Sequence, residues 1–177
     1  MGHRDEDTGQ PTAGELVVAA PDRIDLDALA DTLSFYIRSL NAAVSRDWDV
    51  RIHDLKPIRG VGKVTAMLLV SQHPGIRPSV LAQVAMKDRS EMGRVIDGLE
   101  AAGLLARRQS ATDSRARALF LTEAGERMAE EVRRRVSESR AFFGDLSEEE
   151  YLAVIAPLRS LYWRLVTNPR AAGSEVN

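Results

Sequence analysis

Apolar residues recur at helical spacing through most of the chain. Leu26, Leu29, Leu33, Tyr36, Ile37, Leu40 and Val44 fall three and four apart and predict one face of a long first helix. Asp25 is suited to cap its start, and Pro57 must end or bend it, with Trp48 and Ile52 continuing the pattern. A second helix is predicted from about Val61 to Gln72, carrying Val64, Met67, Leu68 and Val70, and His73-Pro74-Gly75 stops it. Pro78 opens a short third helix to about Ala85. A fourth runs from Asp88 to Ala102, where Asp88 and Glu91 have the spacing of a capping box. Its buried stripe is Met92, Val95, Ile96 and Leu99, and Gly103 occupies the left-handed end position.

The period then changes. Leu104 to Arg108 and Arg115 to Leu121 flank a polar turn, Gln109 to Ser114, and predict a β-hairpin. Thr122 caps a fifth helix to about Phe143, with Ala124, Met128, Val132 and Val136 on one face. Ser147 and Glu150 form an S-x-x-E capping box. It opens a sixth helix with Leu152, Ile155, Leu158, Tyr162 and Leu165 in one stripe. Residues 1–24 lack a sustained period and read as a mobile tail; 169–177 read as a second tail.

Composition narrows the class. At 177 residues the chain suits one domain with a dimerisation extension. There is no cysteine, which removes disulfides, thiolate metal sites and cysteine nucleophiles together. No apolar run is long enough to span a membrane and no signal peptide is evident, so a cytoplasmic protein is expected. The net charge of −2 conceals an asymmetry. Residues 59–122 hold ten Lys and Arg against five acids, and the remainder holds 14 against 21. A basic middle between acidic ends suits a nucleic-acid face on a scaffold that does not touch the nucleic acid. Chance drift in a window of this length is the competing reading.

The order helix, short helix, capped helix, basic hairpin is that of a winged helix-turn-helix. A helix fits the B-DNA major groove, and a basic hairpin beside it can reach phosphates or the minor groove. The residues resemble the multiple-antibiotic-resistance regulator (MarR) family of bacterial transcription factors. The resemblance runs through Pro78-Ser79-Val80-Leu81-Ala82, Asp88-Arg89-Ser90, Arg94-Val95-Ile96-Asp97, Leu99-Glu100 and Gly103-Leu104. It continues in Arg107-Arg108, Asp113-Ser114-Arg115-Ala116 and Leu121-Thr122-Glu123-Ala124-Gly125. It is close over about residues 60–126; the flanking long helices agree in pattern only.

The resemblance implies a mainly α fold with a small β-wing. Residues 59–121 would form the DNA-binding domain, and 25–58 with 122–168 a helical dimerisation region. It implies Asp88 to Ala102 as the recognition helix, with Arg89, Ser90 and Arg94 facing DNA. Arg115 matches a wing-tip arginine for the minor groove, and Asp113 the acid that holds it. Ser79, Lys87 and Arg117 complete the implied DNA-binding set. Glu91 and Gly93 depart from the family pattern, Gly98 replaces a position that is usually basic, and Arg77 stands where a Ser or Thr cap is common. Double-stranded DNA, a second copy of the chain and a small-molecule effector are the implied partners, and no cofactor is. Trp48 and His53 are the effector-pocket candidates; a core tryptophan and an ordinary surface or interface histidine are the alternative. A monomeric helical bundle, and a winged helix that binds protein without reading DNA, remain as competing readings.

Two features are set aside. Gly60-Val61-Gly62-Lys63-Val64-Thr65 fails the phosphate-loop pattern, since Val64 follows the lysine and Pro57 precedes the segment. His3, His53 and His73 have no partners at metal-binding spacing, and no catalytic constellation is present, so no enzyme is expected.

Overall fold

The computed structural model describes residues 20–109, 117–144 and 146–168. The chain divides into two compact units, residues 1–39 and 40–177. In the first, two single-turn 3-10 segments, Pro21–Arg23 and Asp27–Leu29, precede the start of helix α1, Leu33–Arg51, most of whose residues belong to the second. The helix therefore starts eight residues after Asp25. Asp27 has φ +48°, a left-handed conformation that cannot continue a right-handed helix. Asp25 caps locally instead, its carboxylate accepting the Asp27 amide at 2.9 Å. Ile24, Leu29, Leu33, Tyr36 and Ile37 of this unit are exposed.

The second unit holds the main core. After a 3-10 turn at Lys56–Ile58 come α2, Val61–Gln72; α3, Pro78–Val84; and α4, Arg89–Ala101. Strands β1, Leu105–Gln109, and β2, Arg117–Leu121, pair antiparallel with Leu105 opposite Leu121 and Gln109 opposite Arg117. Helix α5, Glu123–Glu138, runs into a 3-10 turn at Ser139–Phe143, and α6 spans Glu148–Thr167. Ile58, Met67, Val70, Leu81, Met92, Ile96, Leu99, Leu119 and Val132 are fully buried together. Each such side chain contributes about 1.5–3 kcal/mol of transfer free energy. No helix among the described residues is long and apolar enough to cross a membrane.

Local chemistry sets the ends as the sequence predicts. The Asp88 carboxylate accepts the Glu91 amide at 2.6 Å, and the Thr122 hydroxyl accepts the Gly125 amide at 3.0 Å. Ser147 and Glu150 close a full capping box, which holds the Glu150 carboxyl below its ordinary range through the Ser147 amide and hydroxyl. At Asp88 only half a box forms, because the Glu91 carboxylate pairs with Lys87 instead.

Two buried faces differ from the predicted stripes. In α5 the buried residues are Gly125, Ala129 and Val132, while Val136 is 38% exposed. Small residues let α5 approach its neighbours closely. In α6 only Val166 is buried, and Leu152, Val154, Leu158, Leu161 and Trp163 face outward. Contacts to α3 hold this helix at its C-terminal end. Tyr162 Oη donates to the Val84 carbonyl at 2.6 Å, and Gln83 Nε2 to the Val166 carbonyl at 2.8 Å.

Candidate nucleic-acid interface

Helix α4 has two sides. Met92, Ile96 and Leu99 lock one side into the core. Arg89, Ser90, Arg94 and Asp97 are exposed on the other. The Asp88 cap satisfies an amide of the first turn, and the burial pattern fixes the rotation of the helix. The three polar residues that the resemblance assigns to DNA thus share the outward side of one capped helix.

The connection from α3 to α4 is tight. Met86 has φ +51° at the turn, and the Lys87 amide donates to the Ala82 carbonyl at 2.9 Å. α3 begins at Pro78, and Arg77 makes no side-chain cap bond there. Ser79 and Arg77 line a depression between the start of α3, α4 and the hairpin. Arg89, Gly93, Arg107 and Arg117 line it too, and its volume is about 450 Å³. Arg107 is committed to structure: it pairs with Asp97 and Glu100, chiefly Asp97, which raises its pKa. Arg89 has no ion pair among the described residues, nor does Arg94.

The hairpin is anchored from outside itself. Leu119 accepts the Gly75 amide at 2.7 Å and donates to the Ile76 carbonyl at 3.1 Å, so Ile76 is bridged antiparallel to β2 at one residue. Sequence reasoning gave this segment only a stop signal. Arg108 lies 4.9 Å over the Phe120 ring, which stiffens the base of the hairpin. Asp113 and Arg115 lie outside the described residues.

Lys87 pairs with Glu91 across one turn. Both line a second depression, with Arg59, Lys63 and Arg94, on the α2 side of α4. Arg59 and Lys63 were counted in the basic segment but not placed at the site; their proximity to α4 arises from tertiary packing of α2. The two effector candidates part company. Trp48 is 8% exposed in the core, and its Nε1 has no hydrogen-bond partner among the described residues. His53 is exposed, with Nδ1 2.8 Å from the Val50 carbonyl. Among the described residues no group of His, Cys, Asp and Glu is arranged to hold a metal ion.

Comparison with known proteins agrees with this geometry. Residues 62–116 match the model of the MarR family. A protein named for transcriptional regulation of the hcr operon in Thauera aromatica is 28% identical over 136 residues, which is 76% of this chain and 81% of that protein. A MarR-family regulator from Listeria monocytogenes, solved with a 26-mer DNA, superposes with a TM-score of 0.69. It is 19% identical, over 80% of this chain and 94% of its own. The PcaV regulator of Streptomyces coelicolor, solved with its natural ligand, gives 0.67 at 21% identity, over 78% and 94%. The structural likenesses establish the winged-helix fold. The family match falls on the segment that holds the capped, arginine-bearing helix, and over most of its length the chain is similar to MarR-family transcriptional regulators.

Proposed function

We propose that the chain is a repressor that binds a pseudo-palindromic operator as a homodimer, one α4 helix in each of two successive major grooves. The observation that carries this reading is the outward side of α4. Arg89, Ser90 and Arg94 stand exposed on a helix whose opposite side is fully buried. Such a helix matches the groove in width, and its N-terminal residues reach base edges. Two-fold symmetry would space the reading heads about 34–36 Å apart. The unpartnered apolar side chains of α6 support a second copy as the structural partner.

A gel-shift titration tests the reading. DNA from upstream of the protein's own gene is compared with scrambled duplex at two salt concentrations. A shift that survives competitor and weakens steeply with salt supports it. Absence of binding to either duplex at low salt sinks it and favours a protein-interaction module. Arg94→Ala weakens the specific duplex more than the scrambled one. Arg115→Ala, at the residue that the resemblance matches to a wing-tip arginine, weakens both and flattens the salt dependence.

We further propose release by a small aromatic or anionic compound at the end of α1. The orphaned Trp48 Nε1 supports this, since a buried indole N–H without a partner costs about 1–3 kcal/mol that an acceptor would recover. Trp163→Phe leaves Trp48 as the single tryptophan, whose emission can be excited selectively over that of the tyrosines. A panel of aromatic carboxylates that neither quenches it nor releases DNA rejects the placement.

A further inference from the structure

The outward side of α4 lies between two cation-bearing depressions, one toward the hairpin and one toward α2. The major groove has the same symmetry: a helix about 10–12 Å across fills a groove about 12 Å wide, and a phosphate strand runs along each lip. The hairpin side accounts for one strand. We propose that the α2-side depression, lined by Arg59, Lys63, Lys87 and Arg94, grips the sugar-phosphate backbone of the other strand. The proposal rests on the DNA-reading assignment of α4 and adds Arg59 and Lys63 to the interface.

Three features carry it. First, the charge is uncompensated. Among the described residues the depression has one acid, Glu91, and Lys87 engages it. Arg59 and Lys63 are oriented by backbone carbonyls rather than by carboxylates. Arg59 Nη2 donates to the His53 carbonyl at 2.8 Å, and Lys63 Nζ to the Pro57 carbonyl at 3.0 Å. A carbonyl fixes the direction of a cation without neutralising it. By contrast Arg51, Arg107, Arg127, Arg133, Arg134, Arg135 and Arg140 all pair with acids.

Second, two helical glycines make room for the lysine stems. A Cβ on Gly62 would lie 3.0 Å from Lys87 Cε, and one on Gly98 would lie 3.3 Å from Lys63 Cε. Neither glycine has a φ that requires glycine, and each costs its helix up to about 1 kcal/mol relative to alanine. Their effect is to lay the two lysines along the flank of α4. Lys63 thereby fills the space beside Gly98, the position where the resemblance expects a basic side chain. Third, this gives a role to Gly60-Val61-Gly62-Lys63. The segment is not a nucleotide loop, for a 3-10 turn rather than a strand precedes it.

The test uses the full-length protein with Arg59→Gln, Lys63→Gln and the double variant, plus Arg127→Gln on α5 as a control cation. Binding to the upstream duplex and to a scrambled duplex is titrated at several salt concentrations. Each variant should weaken both duplexes several-fold by the same factor, leaving their ratio unchanged. The slope of log affinity against log salt should fall by about 0.9 for each cation and about 1.8 for the pair. Thermal unfolding should match the parent, which excludes a merely structural loss. Parental affinity and slope in the double variant overturn the phosphate grip while leaving the α4 assignment standing. A parent that binds no duplex at low salt overturns both. Calorimetric binding of inorganic phosphate that the double variant loses, with an unchanged DNA slope, overturns the grip in favour of a free-anion site.

Discussion

Gly125 of α5 lies directly against the backbone of Leu104. A Cβ there would overlap the Leu104 carbonyl oxygen, approach its carbonyl carbon to 3.0 Å and meet Leu121 Cβ at 3.1 Å. The same junction is tied by hydrogen bonds: the Thr122 amide donates to the Leu104 carbonyl at 3.1 Å and its hydroxyl to the Gly103 carbonyl at 2.7 Å. This explains the L-T-x-x-G run physically. The threonine fastens α5 to the start of the hairpin, and the glycine allows the helix to lie that close. Gly125→Ala should therefore lower stability by about 3 kcal/mol, the upper part of the usual range for overpacking. Urea unfolding checks this, with the midpoint falling and the slope unchanged. A loss below about 1 kcal/mol would mean that α5 lifts away easily and that the contact does not position the hairpin.

Gly93 presents the opposite case. It lines the hairpin-side depression beside α4, and a Cβ there would meet nothing within 4 Å. Alanine should thus stabilise the free protein by about 0.5–1 kcal/mol through helix propensity alone. If bare backbone is needed for close approach to DNA, the same change should weaken operator binding roughly tenfold, about 1.4 kcal/mol. Paired unfolding and gel-shift measurements on Gly93→Ala read both effects. A variant that gains stability and keeps full affinity would show that the glycine does not serve DNA approach.

The Asp54 carboxyl gives a pH signature. Arg135 donates to both of its oxygens, at 2.5 and 2.8 Å, and lowers its pKa to about 2. An unfolded aspartate titrates near 3.9, about the usual value. As pH falls from about 4 to about 2, the unfolded chain takes up this proton first, so the contribution of the pair is lost across that window. Asp54 is half exposed, which keeps the effect modest. Stability against pH should be flatter for Asp54→Asn than for the parent between those limits. Parallel curves would mean that the pair between α5 and the end of α1 does not form in solution.

The features legible in the sequence are those set by neighbours in the chain. Asp88, Thr122 and Ser147 cap helices because their side chains reach amides three residues on. Gly103 has φ +69°, as a left-handed helix end requires. The outward placement of Arg89, Ser90 and Arg94 follows from the period of Met92, Ile96 and Leu99. The illegible features depend on packing across the chain. Gly125 carries no hydrophobic signal and Ala129 no more than Ala124, so the stripe of α5 was displaced toward Ala124 and Val136. Asp27 in a left-handed turn delays α1, although the apolar spacing runs straight through it. Arg59 and Lys63 reach α4 because α2 packs against it, a contact absent from local spacing.

The apolar character of α6 was legible at Leu152 and Leu158, but Leu161 lay outside the predicted stripe and the partner that covers these residues was not legible. Leu152, Leu158 and Leu161 remain 48%, 44% and 38% exposed within the subunit. Burying them against a second copy would contribute about 1.5–3 kcal/mol for each fully covered side chain, a reason for the stripe that a monomer lacks. Leu158→Glu separates the alternatives. In the isolated subunit it replaces an already exposed side chain and should leave unfolding within about 0.5 kcal/mol of the parent. In a dimer it puts a carboxylate into an apolar seam, which should raise the dissociation constant at least a hundredfold, about 2.7 kcal/mol. Sedimentation of the parent and variant over a concentration series measures this directly. DNA protection should then shrink from two half-sites to one. A variant that remains dimeric like the parent removes α6 from the seam; a parent that sediments as a monomer at every concentration rejects the homodimer, and the two-groove reading with it.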